Sequence, residues 1–188
     1  MKTINLSDEV MVSDPCYEVP TWCQQKLTGV LPGEYIPNAL IVNDWGQRVA
    51  VLKVVHKDHN SSELTWRTIT SADIGVDSGQ CGIFSMETYR NDILFKEQPS
   101  EFYGTYEDVL IKQHRKESGD HWYGHMCDRT LAAPGWGTYS NGVVSSSGYG
   151  DGSYRLLVAK SKGKIVGIAI DYHLITFPNS DLNHMFNK

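Results

Sequence analysis

The sequence predicts an α+β domain: a mainly antiparallel sheet, bent or closed into a partly open β-barrel, with two or three short helices. Three observations carry this. Segments with strand character outnumber helical ones, and neighbouring strands are separated by short turns, which favours antiparallel pairing. The chain has 188 residues, a length suited to one core. At that size roughly 70% of the unfolded surface can be buried, so no covalent staple is needed. A single domain over 1–188 is expected, frayed only over its last ten or so residues.

The elements follow in order. Val10, Met11 and Val12 form an apolar run that stops at Ser13, Asp14 and Pro15. Thr21 with Gln24 three residues on reads as a capping box and Gly29 as a C-cap, so a short helix is expected over 22–28. Strands are expected over 33–42 and 47–56, joined by Asn43, Asp44, Trp45 and Gly46, which carry turn chemistry. After a polar loop over 57–62, the next strand is expected over 63–70. Met86, Tyr89, Ile93 and Leu94 approach a helical period, predicting a helix over 86–98 that Pro99 closes. Phe102, Tyr106, Val109 and Leu110 put a second amphipathic helix over 101–115. Residues 117–140 are rich in aromatics and glycine with little periodicity, and read as long connections. Strands over 142–146, 153–160 and 164–172 complete the chain, the last two joined by the turn Lys160, Ser161, Lys162, Gly163.

Composition narrows the function. With 40% hydrophobic and 21% charged residues the body of the chain is not disordered. A net charge of −5 argues against nucleic acid, because phosphate binding needs a surplus of Lys and Arg or a basic stripe. The densest basic stretch, Lys112, His114, Arg115 and Lys116, is followed by Glu117 and Asp120 and reads as a solvated helix end. No apolar run approaches the ~18 residues that span a bilayer, and the N-terminus lacks an apolar signal region. A cytoplasmic protein without a membrane partner is therefore expected. Cys16, Cys23, Cys81 and Cys127 form no C-x-x-C pair, so reduced thiols are expected.

Three phrases stand out: Ser13-Asp14-Pro15-Cys16-Tyr17, Val76-Asp77-Ser78-Gly79-Gln80-Cys81-Gly82-Ile83-Phe84 and Ser147-Gly148-Tyr149-Gly150-Asp151-Gly152-Ser153-Tyr154. Together they resemble an uncharacterised family of bacterial and bacteriophage proteins, a domain of unknown function, over about residues 11–172. The resemblance implies a prokaryotic or phage cytoplasmic setting (the host cytoplasm, if phage-encoded) and favours an accessory, binding role. It supplies no catalytic residue.

The chemistry of these clusters suggests where a ligand would sit. Glycines permit positive φ and close backbone approach, and successive N–H groups in such turns form anion-binding concavities. If sheet pairing brings the two glycine turns together, Asp77, Ser78, Gly79, Ser147, Tyr149, Gly150, Asp151 and Gly152 converge on one small polar or anionic molecule. The same oxygens suit a hard divalent cation, although no cofactor is required. Turn formation alone, with Asp151 capping its own loop, is the competing explanation. Cys16 is a candidate nucleophile if a His or a helix N-terminus lowers its pKa, with Cys81 next and Asp151 a candidate acid or base. His121, His125 and Cys127, with Asp128 beside them, are candidate metal ligands without a second Cys/His pair at finger spacing.

The expected function is a small-ligand-binding accessory protein. The alternative is a hydrolase or transferase using a cysteine nucleophile or an Asp/His-bound metal. The second alternative is an interaction protein that inhibits a host protein, with Trp45, Trp122 and Trp136 as anchors.

Overall fold

The computed structural model describes residues 2–95 and 121–174 of the chain. Within them, eleven strands form two sheets accompanied by one α-helix and two 3-10 turns. The strands are β1 (Ile4–Leu6), β2 (Glu9–Ser13), β3 (Gln25–Thr28), β4 (Gly33–Asn43), β5 (Gln47–His56), β6 (Trp66–Val76) and β7 (Gln80–Ser85). After α1 (His121–Leu131) come β8 (Trp136–Tyr139), β9 (Gly142–Ser146), β10 (Gly152–Ser161) and β11 (Lys164–Asp171). The 3-10 turns are Ser61–Glu63 and Asp92–Phe95.

One sheet runs β1-β4-β5-β11-β10-β6 and the other β3-β2-β7-β9-β8. All of these pairings are antiparallel, as the short turns predict. The sheets are not a closed barrel: they face each other across a core shared by Ile4, Val10, Val12, Leu52, Ile74, Ile83, Val143, Leu156 and Ile168. Period-2 alternation explains the layering. On β10, Leu156 and Val158 point to that core, while Leu157 and Ala159 enter a second cluster on the outer face with Val51, Val55 and Trp66. On the outer face of the five-stranded sheet, α1 packs Trp122 and Met126 against Met11, Phe84, Tyr139 and Val144.

The hairpin of β4 and β5 closes with Asn43 opposite Gln47, and Trp45 and Gly46 adopt positive φ of 52° and 108° in its loop. Two expectations need correction. Residues 22–28 are not helical; Gln25–Thr28 is an edge strand on β2 with only Leu27 buried. The capping contact nonetheless forms, since the Thr21 N–H donates to Gln24 Oε1 at 2.9 Å. Gln24 Nε2 is then held by Ser13 Oγ and Tyr89 Oη, and the pull of β2 decides the backbone. Residues 121–139, expected as connection, form α1 and β8. The helix gains its N-terminal partner from a distant residue: Asp92 Oδ1 accepts the Trp122 N–H at 2.7 Å.

Of the helix expected over 86–98, the described part is turns followed by Asp92–Phe95. The helix expected over 101–115 and the frayed terminus lie outside the described residues. The expected strand over 63–70 runs later, as β6, and reaches Val76. No helix among the described residues is long and apolar enough to cross a membrane.

Candidate functional site

The carboxyl end of β2, the turn between β6 and β7, and the loop between β9 and β10 meet at one end of the two sheets. Pairing dictates this. Ser13 lies opposite Gly82, Gln80 opposite Ser146, and Val76 opposite Gly152, so all three motif loops emerge together. Gly79, with φ of 67°, lets the β6–β7 turn reverse where a Cβ would be strained. Its N–H donates to Asp151 Oδ1 at 2.9 Å and its carbonyl accepts the Ser147 N–H at 3.0 Å.

Asp14 ties the first loop to the second. It is fully buried, and Oδ1 accepts the Cys16 N–H at 2.8 Å and the Ser78 hydroxyl at 2.7 Å. Oδ2 accepts the N–H groups of Asp77 at 2.9 Å and Ser78 at 2.7 Å. Four donors fill the roughly four acceptor sites of a carboxylate. Asp14 therefore has no capacity left for a ligand; it holds the loops that do.

Beside this hub lies a cleft of about 820 Å³ lined by Tyr17, Thr21, Trp22, Cys23, Gln25, Asp73, Gly75, Val76, Asp77, Asp151, Gly152 and Ser153. One wall is the chain over 17–25, which crosses the free edge of β6, where the Gly75 N–H donates to the Cys23 carbonyl at 3.2 Å. Gly75 is required by this approach, because a Cβ there would lie 2.8 Å from the Cys23 sulfur. The other wall is the outer face of β6 and β10. Burial first, then the neighbouring Asp77 and Cys23 side chains, raise the pKa of the Tyr17 hydroxyl well above the usual phenol range.

The structure thus gathers part of the expected set. Asp77, Asp151 and Gly152 line the cleft, whereas Ser78, Gly79, Ser147, Tyr149 and Gly150 do not. Ser78 is committed to Asp14, and the buried Ser147 hydroxyl donates to the Gly150 carbonyl at 2.7 Å. The Tyr154 hydroxyl donates to the carbonyls of Ser147 and Gly150, stiffening the same loop. Tyr149 points away to the β4–β5 hairpin, where its hydroxyl bonds Asp44 and the Arg48 guanidinium stacks 4.7 Å from its ring centre.

The nucleophile reading of Cys16 meets the wrong electrostatics. No helix starts near Thr21, and burial, the bond to Asp14 and the Asp14 and Asp77 charges push the thiol up to about 12. Burial likewise holds the Cys81 thiol well above the usual thiol range. The candidate metal set separates on α1. His125 stacks on Phe95 with centroids 4.7 Å apart, while Cys127 Sγ accepts from Gln80 Nε2 at 3.4 Å. Positions 125 and 127 lie about 200° apart around a helix. Among the described residues no three His, Cys, Asp or Glu side chains gather as a metal site. Of the proposed anchors, Trp45 is exposed, Trp136 half-buried and Trp122 wholly buried.

Sequence reasoning missed Trp22, Cys23, Asp73 and Ser153 as cleft residues, and Asp14 as their hub. The signal for Asp73 was available, since Ile74 and Val76 alternate with exposed Asp73 and Asp77 beyond the end expected for that strand. No curated protein and no solved structure matches the chain. A family model does, over residues 5–170, and the chain belongs to the family it describes: protein of unknown function, DUF4241.

Proposed function

We propose that this protein is a binding module that holds a small polar ligand in the cleft between residues 17–25 and the outer face of β6 and β10. One observation carries the reading: a concave site of about 820 Å³ forms where two of the three motif loops deliver Asp77, Asp151 and Gly152 beside Tyr17 and Trp22. That volume suits a ligand of metabolite size, and an aromatic wall with a few polar groups is the usual composition of such a site. Rigidity supports it further, because the loops are held by Asp14, Tyr154 and Asp151 before any ligand arrives. A nucleophilic reading finds no support in a Cys16 thiol that burial, and then its acidic neighbours, keep protonated.

A thermal-shift panel of amines, polyols, sugars and carboxylates tests this. Ser153 is exposed on the cleft wall, so Ser153→Tyr fills the cleft without touching the core. A compound at about 100 times its Kd should raise stability by about 2.7 kcal/mol. We expect a Tm rise of several degrees in the native protein and none in Ser153→Tyr. A panel with no effect, or a rise that persists in Ser153→Tyr, would overturn the reading.

A further inference from the structure

We infer that the group taken by this cleft is a cation, an alkylammonium or guanidinium; the inference rests on the binding role proposed above. The first observation is a platform. Trp22 is 93% exposed, on a backbone that is anything but loose. The Thr21 N–H donates to Gln24 Oε1, the Thr21 hydroxyl donates to the Glu18 carbonyl at 2.6 Å, and the Cys23 carbonyl accepts from Gly75. A pinned turn thus presents an indole at the cleft while giving it nothing to pack on. An indole face is the best aromatic partner for a cation.

The second observation decides the sign of charge. Asp73, Asp77 and Asp151 enter the cleft from three different segments, and no Lys, Arg or His lines it. The nearest cation along β10, Arg155, is engaged by Asp171 at 2.6 Å. Arg90, which bonds the Pro15 carbonyl, is paired with Glu18. Asp151 spends Oδ1 on the Gly79 N–H, and among the described residues neither its Oδ2 nor the Asp73 carboxylate has a hydrogen-bond partner. An anion in this cleft would meet three carboxylates along the β6–β10 wall, and no Lys, Arg or His among the lining residues compensates them. A cation would stack on Trp22 and donate charge-assisted hydrogen bonds to those carboxylate oxygens. Two N–H groups of the glycine turns are engaged within the protein: that of Gly79 donates to Asp151 and that of Ser147 to the Gly79 carbonyl.

Isothermal titration of the full chain with three five-atom-scale probes tests the sign: agmatine as the cation, 1,5-pentanediol as the neutral compound, glutarate as the anion. We expect agmatine to bind and the other two to bind at least ten-fold more weakly. Asp73→Asn with Asp151→Asn keeps the acceptor for Gly79 and should weaken agmatine ten-fold or more; Trp22→Ala should weaken it at least five-fold. Raising salt from 50 to 500 mM should weaken it as well. A capped Gly-Arg-Gly peptide in the same titration separates a peptide side chain from a free amine, and tight binding of either supports the cation. Glutarate or pentanediol binding as tightly as agmatine, lost in Ser153→Tyr, would overturn the cation and leave the cleft reading standing. No binding by any of these or by the wider panel would overturn both.

Discussion

The turn over Asp14–Tyr17 is gripped from two sides by different chemistry. On one side the outer face of the five-stranded sheet offers aromatic rings: Trp122 is fully buried, edge-on to Phe84 and Tyr139 at centroid distances of 5.1 and 5.7 Å. On the other side the loops of the cleft hang on the four hydrogen bonds to Asp14. The two regions touch, since Trp122 Nε1 donates to the Pro15 carbonyl at 3.1 Å and Tyr89 Oη donates toward the carbonyls of Asp14 and Tyr17. Non-directional burial on the aromatic side tolerates small displacements and supplies stability. Directional bonds on the Asp14 side set the positions of Asp77 and Cys16 to within a fraction of an ångström. Stability and site geometry are therefore assigned to different neighbours of one turn.

Two substitutions and one labelling experiment test that division. Trp122→Ala should have the largest effect, about 3–5 kcal/mol of lost stability, with the fraction still folded retaining its cleft. Chemical denaturation measures the loss. A loss under about 1 kcal/mol would mean α1 contributes little to the fold. Asp14→Asn comes next, at about 2–3 kcal/mol, because an amide turns one of two acceptor oxygens into a donor facing backbone N–H groups. Here the order should invert for function: Asp14→Asn should impair cleft binding more than Trp122→Ala does. Equal impairment by both would dissolve the comparison.

The smallest effect concerns Cys16. Its thiol keeps its proton in the fold up to about 12, whereas the unfolded thiol loses it near 9.0. The folded state thus binds more protons across that window, so its contribution is intact below about pH 9 and is lost as pH rises toward 12. At pH 8 iodoacetamide should alkylate Cys16 at least ~100-fold more slowly in the native chain than in urea, read by peptide mass spectrometry. Native alkylation at the unfolded rate would show that the Asp14 side is loose. Asp14→Asn should accelerate it, because the largest acidic neighbour of the thiol is then gone.

Strand periodicity and turn chemistry made β4, β5, β9, β10 and β11 legible within a residue or so, because each is a local pattern repeated over five or more positions. The three motif loops were also legible as candidates, since glycine and aspartate mark reversals whatever lies around them. What escaped were decisions made by distant partners. The segment 21–28 begins with a genuine capping contact between Thr21 and Gln24, yet pairing with β2 along four residues outweighs one turn of helix. The helix His121–Leu131 contains Gly124 and has no strong amphipathic period; buried Trp122 and Met126 and the Asp92 cap, thirty residues away in sequence, make it stable.

The site divides in the same way. By itself the sequence determined which backbone reverses, which residues alternate into a core, and the excess of carboxylates at the loops. Only the tertiary structure decided that Asp14 is a saturated hub, that Tyr149 turns away to Arg48, and that Trp22 and Asp73 stand beside Asp77 and Asp151. The reason is physical: propensity and pattern act over a few residues, whereas burial and hydrogen-bond saturation depend on which strands become neighbours.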